Sequence, residues 1–319
     1  MGDPLIGPAS LAFTGESERT LGAVNVSGVF PPIATPFDAR GDVDRVALQS
    51  NIARWLTSDI RGIVALGSNG EAPLLDESES DAVIEAAREV VPRDRLLIAG
   101  TGRESTRSTI AASQRAASLG ADAVLVRTPS YFKPRMTRDA FVAHYTAVAD
   151  AVAVPVFLYN YPAVTGLTLT PDTVAALARH PNIAGIKETS TDAAQIAAYV
   201  DAAQGEAFSV LAGSAPSFYA ALCLGARGAI LAAACILPKA CIALLDAFHR
   251  GAHEEARELQ QRILPVAAAV TSGFGVPGLK AALDLTGFIG GSPRPPLATA
   301  SAESIAAIQR TLDPVREFL

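Results

Sequence analysis

The sequence predicts an α/β fold, a (β/α)8 TIM barrel carrying a C-terminal helical appendage. Three observations carry that expectation. From residue 28 onward, short β-type runs alternate eight times with alanine-rich segments of helical period. The β-type runs are apolar throughout, as expected of parallel strands covered on both faces. After about residue 250 the strand signals stop and only helical patterns remain. Right-handed crossovers make successive strands parallel, and eight of them close into a barrel.

The elements follow in order. A strand at 29–34 precedes a helix near 43–56, with Asp42 as the expected cap. A strand at 62–66 leads through Gly67-Ser68-Asn69-Gly70-Glu71 into a helix near 78–91. The third strand, 96–99, leads to a helix at 105–119 opened by Glu104 and Ser105. The fourth, 123–126, passes through Thr128-Pro129-Ser130-Tyr131 to a helix near 138–151. The fifth, 154–159, passes through Asn160-Tyr161-Pro162 to a helix opened by Thr170-Pro171-Asp172, where proline suits a first turn. Strands at 183–187, 208–212 and 228–231 lead to helices at 193–203, 216–224 and 239–249. Helical stretches near 254–270 and 277–285, a Gly/Pro-rich stretch at 290–296 and a helix at 302–312 finish the chain. The expected organisation is a flexible leader at 1–27, a barrel at 28–250 and a helical segment at 251–319.

At 319 residues, 50% hydrophobic and 18% charged, the composition is that of a globular protein with a large core. A net charge of −6 argues against a nucleic-acid surface. Cys223, Cys235 and Cys241 lack CxxC spacing and lie in apolar surroundings. Reduced core thiols of a cytoplasmic protein are expected, not a disulfide or zinc framework. The first 26 residues lack the basic start and apolar core of a secretory signal, and Ile6 stands where a myristoylation site wants Ser or Thr. The longest uncharged run, 207–226, is broken by Gly213-Ser214-Ala215-Pro216, which favours strand–turn–helix over a membrane span.

Active sites of such barrels lie at the C-terminal ends of the strands. Only four of the 26 Lys and Arg residues are lysine, and one of them, Lys187, ends the buried sixth strand. Such a lysine either snorkels to water or, with its pKa lowered by desolvation, is an amine nucleophile able to form a Schiff base with a carbonyl. Tyr159 ends the fifth strand beside it, and taken alone is also readable as a core tyrosine. Ser68-Asn69, Tyr131 and Gly213-Ser214 follow strands two, four and seven on the same rim. Together these groups suit a 2-oxo acid. The amine attacks the ketone, the iminium becomes an electron sink for carbon–carbon cleavage, and the phenol relays protons. The glycine-flanked turn offers donors to the substrate carboxylate. This chemistry needs no metal and no cofactor beyond the covalent lysine Schiff base. His249 and His253 share a helix face but suit solvated positions better than metal ligation. The glycines at Gly213-Ser214 and Gly228 fall where barrels often hold phosphate, without a basic partner. Arg127, late in strand four, either binds a distal substrate carboxylate or points outward to pair with a helix acid.

Three ordered motifs carry a resemblance: Gly67-Ser68-Asn69-Gly70-Glu71, Tyr159-Asn160-Tyr161-Pro162 with Thr165-Gly166 after it, and Gly185-Ile186-Lys187-Glu188. From about Gly28 to Pro296 the chain resembles the dihydrodipicolinate synthase/N-acetylneuraminate lyase family of class I aldolases. The resemblance implies that Lys187 forms the Schiff base with pyruvate or its precursor and that Tyr159 relays protons. It implies that Ser68, Asn69 and Gly70 hold the carboxylate, with Asn160 and Gly213 completing the substrate-binding set. It also implies that Tyr131 reaches across a tight dimer interface and that the chain forms a homotetramer, a dimer of dimers. Two departures bear on substrate. Val164 stands where dihydrodipicolinate synthases carry an arginine for the second substrate's carboxylate, and Ser68-Asn69 replaces their Thr-Thr. The glycine turn, the stretch from Thr128 to Met136 and Phe274-Gly275-Val276-Pro277-Gly278-Leu279-Lys280 resemble 4-hydroxy-2-oxoglutarate aldolases and L-3-deoxy-hexulosonate aldolases. The expected reaction is retro-aldol cleavage of 4-hydroxy-2-oxoglutarate to pyruvate and glyoxylate. The alternatives are a sugar-acid aldolase, 4-hydroxy-tetrahydrodipicolinate synthase and a non-catalytic barrel that binds 2-oxo acids.

Overall fold

The computed structural model describes residues 26–319, so the leader expected at 1–27 and its targeting readings lie almost wholly outside the described residues. Strands β1 (Gly28–Phe30), β2 (Gly62–Ala65), β3 (Leu96–Gly100), β4 (Ala123–Arg127), β5 (Val156–Asn160), β6 (Ile183–Glu188), β7 (Ser209–Ala212) and β8 (Gly228–Ile230) make one parallel sheet. Its order is β1-β8-β7-β6-β5-β4-β3-β2. The chain just past β1 sews the two end strands together. The Val64 amide donates to the Pro31 carbonyl (3.0 Å), and the Ile33 amide to the Val64 carbonyl (2.9 Å). The barrel expected from the sequence is therefore closed.

Helices α1 (Arg45–Trp55), α2 (Glu77–Val90), α3 (Thr106–Ser118), α4 (Arg138–Ala151), α6 (Pro171–Ala178), α7 (Ala193–Ala202), α8 (Phe218–Cys223) and α9 (Pro238–His249) connect the strands. A single extra turn, α5 (Pro162–Thr165), precedes α6 and was not foreseen. The C-terminal segment is α10 (His253–Ala268), α11 (Gly275–Leu285) and α12 (Ala302–Leu312), with π-helical residues Ala269–Gly273 between α10 and α11. Most barrel helices begin where a short polar side chain accepts an orphan amide, as Asp76, Ser105, Thr137 and Asp192 do. The cap of α1 is Asp44, which accepts from the Ala47 amide at 2.9 Å, and not Asp42. Asp42 is drawn instead into the preceding turn, its amide donating to Asp38.

Two apolar layers form the core. Phe30, Val64, Ile98, Leu125, Phe157, Leu211 and Ile230 fill the barrel interior. Trp55, Leu97, Val124, Val126, Tyr145, Leu158 and Ile186 belong to the layer between sheet and helices. The alternation along β4 and β5 phases both strands, so Arg127 faces inward with Leu125 and Tyr159 with Phe157. β6 carries an irregularity: Val156 pairs with Ile183, but Phe157 pairs with Gly185, leaving Ala184 as an extra residue. Beyond it Tyr159 pairs with Lys187. Gly185 is required there, because a Cβ would lie 2.3 Å from the Ser209 carbonyl oxygen.

Cys235 and Cys241 are buried as expected, but Cys223 is exposed. It ends α8 on the face turned from the core, a placement that apolar neighbours in sequence do not reveal. No helix among the described residues is long and apolar enough to cross a membrane.

Between barrel and helices lies a buried ion pair, Arg88 Nη1 to Asp122 Oδ2 at 2.8 Å. The same carboxylate accepts from the Leu97 amide at 2.9 Å. Asp122→Ala leaves Arg88 without its counter-charge, and unfolding free energy should fall by about 3 kcal/mol. A lower urea midpoint with unchanged KM is the expected result.

Candidate active site

Register builds the site. Arg127, Tyr159 and Lys187 are neighbours in one row across β4, β5 and β6, and Lys187 pairs onward with Leu211 of β7. Residues paired in a parallel sheet point the same way, so the three polar side chains enter the barrel mouth together.

Lys187 is 5% exposed, and its Nζ lies 4.3 Å from the centroid of the Tyr159 ring. Among the described residues no carboxylate pairs with it. Glu188, next in sequence, faces the other side of the sheet. It accepts from Asn160 Nδ2 (2.7 Å) and from the Ser190 amide (2.6 Å). Burial pushes the Lys187 amine down to about 7, opposed only weakly by the nearby Cys235 thiol. A large share of the amine is therefore unprotonated at neutral pH.

Tyr159 is also 5% exposed, stacks on Tyr161 (centroids 5.7 Å apart) and places its hydroxyl 3.3 Å from Ser68 Oγ. Burial pushes its phenol up to about 12, so it carries its proton at neutral pH. It can give that proton up and take one back, as a relay must.

Ser68 sits on the turn after β2. Leu66 and Glu71 flank it with φ of 57° and 56°, left-handed values that non-glycine residues rarely adopt. Asn69 Nδ2 donates to the Pro32 carbonyl (3.1 Å) and Thr35 Oγ1 to the Gly70 carbonyl (2.8 Å), which pins the turn to the extension of β1. A cavity of about 250 Å3 opens beside it, its wall including Ser68, Gly100, Gly102, Glu104, Arg127 and Tyr159. Lys187 is not part of that wall; its amine contacts the ring of Tyr159, which is.

Of the two alternatives left open by the sequence, the outward orientation does not hold, because Arg127 faces into the barrel. It lines the cavity, and its Nη1 donates to Glu104 Oε1 at 2.7 Å. Its partner is an acid of the loop after β3, not of a helix outside the barrel. Gly102 makes room for its stem, since a Cβ there would meet Arg127 Cγ at 2.7 Å. The other Glu104 oxygen accepts from the Ser130 and Tyr131 amides at 2.8 and 2.9 Å.

The remaining expected residues divide. Asn160 is fully buried and does not line the cavity. Pleating points Tyr159 inward and Asn160 outward, and the amide is spent on Glu188, Tyr199 and the Leu169 amide. Gly213 supplies close approach, because a Cβ would lie 2.4 Å from Thr189 Oγ1. Tyr131 is 79% exposed on the rim, edge-on to Phe132, and does not line the cavity. Val164 is 65% exposed on the α5 turn. His253 is engaged with Tyr219 Oη, and no group of three or more His, Cys, Asp and Glu among the described residues could hold a metal. Sequence reasoning missed Gly102 and Arg103, and placed Glu104 only at a helix start. Their roles depend on how the loop after β3 folds over Arg127, for which the sequence holds no local signal.

The lowered Lys187 pKa makes a prediction about stability as well as rate. Between about 7 and 10.5 the unfolded chain keeps a proton that the folded protein sheds, so this residue's contribution to stability rises with pH across that window. Lys187→Met should raise the melting temperature at pH 7 by several degrees, with the gain shrinking toward pH 10. A scan of melting temperature against pH for the two proteins checks it.

Comparison with known proteins agrees with this geometry. Residues 25–314 match the dihydrodipicolinate synthetase family. The chain is 36% identical over 287 residues to a 4-hydroxy-tetrahydrodipicolinate synthase of Methanospirillum hungatei, covering 89% of this chain and 98% of that protein. It is 38% identical over 289 residues to an uncharacterized DapA-like lyase of Halobacterium salinarum, covering 91% of this chain and 94% of the relative. Among solved structures it is similar to a prophage protein of the dihydrodipicolinic acid synthase family from E. coli K12 in complex with pyruvate. There the TM-score is 0.85 at 31% identity, covering 91% of this chain and 98% of the other. Sequence, barrel and the row of side chains on its rim lead to one assignment: the chain belongs to the dihydrodipicolinate synthetase family of class I aldolase-type lyases.

Proposed function

We propose that the protein cleaves a 4-hydroxy-2-oxo acid through an iminium on Lys187, releasing pyruvate and an aldehyde. The observation that carries the reading is the buried Lys187 amine, without a carboxylate partner, against the ring of Tyr159. The free amine adds to the substrate ketone, and loss of water gives the iminium. As the C3–C4 bond breaks, its electron pair moves into the iminium and leaves an enamine. Tyr159 gives its phenolic proton to the departing water, so the C4 hydroxyl can return a proton to the relay of Tyr159 and Ser68 as the aldehyde departs. Protonation of the enamine at C3 and addition of water return pyruvate and the free amine. Ser68 and Asn69 offer main-chain amides and the Ser68 hydroxyl to the C1 carboxylate, and Gly70, whose own amide donates to the Gly67 carbonyl, completes the turn.

We favour 4-hydroxy-2-oxoglutarate, with glyoxylate as the aldehyde. Support comes from Arg127, whose guanidinium faces the cavity with one edge on Glu104 and the other unclaimed, suited to a distal carboxylate. Val164 offers no charge at the position where the synthases carry arginine. A second reading, 4-hydroxy-tetrahydrodipicolinate synthase, is favoured by the name of the Methanospirillum relative. Exposed Tyr131 and Phe132 support assembly through that rim into a homotetramer.

Pyruvate with borohydride should leave a stable adduct on Lys187, located by peptide mass. Absence of the adduct removes the Schiff-base reading. Tyr159→Phe should lower kcat by roughly 10²–10⁴. Pyruvate release from a panel of 4-hydroxy-2-oxo acids decides the substrate. Arg127→Leu should raise KM for 4-hydroxy-2-oxoglutarate about tenfold or more while sparing pyruvate adduct formation. Turnover of L-3-deoxy-hexulosonates alone, or condensation without cleavage, would reverse the preference.

A further inference from the structure

Next to the cavity lies a cluster of charges that the chemistry above does not use. Glu71 ends the glycine turn after β2, and Lys280 belongs to α11 of the C-terminal segment. Lys280 Nζ lies 2.7 Å from Glu71 Oε1, and the two side chains are 1% and 0% exposed. Lys280 Nζ also donates to the Ser292 carbonyl at 2.9 Å. The second Glu71 oxygen accepts from the main-chain amide of Arg294 at 2.7 Å. The Arg294 guanidinium grips both oxygens of Glu79 at 2.7 Å and the Leu74 carbonyl at 3.0 Å. The ring of Phe37, just past β1, contacts both cations, its centroid 4.3 Å from Lys280 Nζ and 4.2 Å from Arg294 Cζ.

We propose that Glu71, Lys280 and Arg294 are positioning residues for the substrate carboxylate, holding residues 68–70 in their binding geometry from the C-terminal side. The proposal rests on the Schiff-base reading of the site. Three features separate it from simple docking of a helix. One Glu71 oxygen accepts the Arg294 amide and the other lies 2.7 Å from the Lys280 ammonium as an ion pair without hydrogen-bond geometry, so both oxygens face partners from the C-terminal segment. Glu71 has left-handed backbone, which a glycine would adopt without strain, so a glutamate there costs conformational energy and its carboxylate is the compensation. Burying both charges is itself costly, so the pair is weak evidence for stability and suits the selection of one geometry. The turn is thus held from two sides, by Pro32 and Thr35 from β1 and by Lys280 and Arg294 from the far end of the chain.

The test compares Lys280→Met and the paired variant Glu71→Gln/Lys280→Met with the unaltered enzyme. The single variant strands a buried carboxylate and can fail to fold. The paired variant removes both charges and keeps an acceptor for the Arg294 amide. Borohydride trapping over a range of pyruvate concentrations reads carboxylate binding, and hydrogen exchange over residues 66–75 reads the turn directly. For the paired variant we expect a melting temperature within a few degrees of the original. We also expect a half-saturating pyruvate concentration raised roughly tenfold or more, trapping retained at saturation, and faster exchange in the turn. Unchanged half-saturation and exchange would overturn the proposal. So would a paired variant that does not fold, which would assign the pair to global stability. If the unaltered enzyme traps no pyruvate, the Schiff-base reading fails, and exchange in the turn still decides whether the pair positions it.

Discussion

An amine held in a dry interior without a counter-ion is the constraint on which this structure turns. Water stabilises an ammonium far better than a protein interior does, so Lys187 survives there by giving up its proton. The barrel supplies the dry interior. Its neighbours supply the isolation, because every acid near the site is engaged elsewhere. Glu188 is bound by Asn160 and the Ser190 amide, Glu71 by Lys280 and the Arg294 amide, and Glu104 by Arg127 and two loop amides. Had any one of them turned to Lys187, the ion pair would have restored the proton and removed the nucleophile.

The same economy explains Asn160. On sequence it belongs to the motif of Tyr159 and invites a role in binding. In the fold it lies on the outer face of the sheet, where it donates to Glu188. Its partners on that face also include Tyr199 and the Leu169 amide, so the Asn160 side chain itself is satisfied.

Barrel, strand ends and the Lys187–Tyr159 pair were legible because each follows from local pattern. Apolar runs mark strands, helical period marks the covering helices, and a lysine ending a buried strand is conspicuous among so few lysines. What escaped was phase and loop packing. Asp44 rather than Asp42 caps α1 because the preceding turn consumes Asp42. Asn160 was assigned to the cavity because a strand's inward set cannot be fixed until one member is placed. Arg127 stayed ambiguous for the same reason, and its link to Glu104 depends on a loop from another strand. The Lys280–Glu71 pair joins residues more than two hundred positions apart, with no pattern in the sequence to announce it.

The extra residue Ala184 in β6 has an evolutionary consequence. Because side chains alternate with each residue, the pairing beyond Ala184 decides whether a base or an acid looks into the barrel. Loss of Ala184 would keep Gly185 opposite Phe157 and Lys187 opposite Tyr159, whereas a one-residue slip of that pairing would present Glu188 in place of Lys187 and convert an amine pocket into a carboxylate pocket. What faces the barrel is set by register, so a residue can be lost at Ala184 without turning Lys187 away from Tyr159, while a slip beyond it cannot be absorbed.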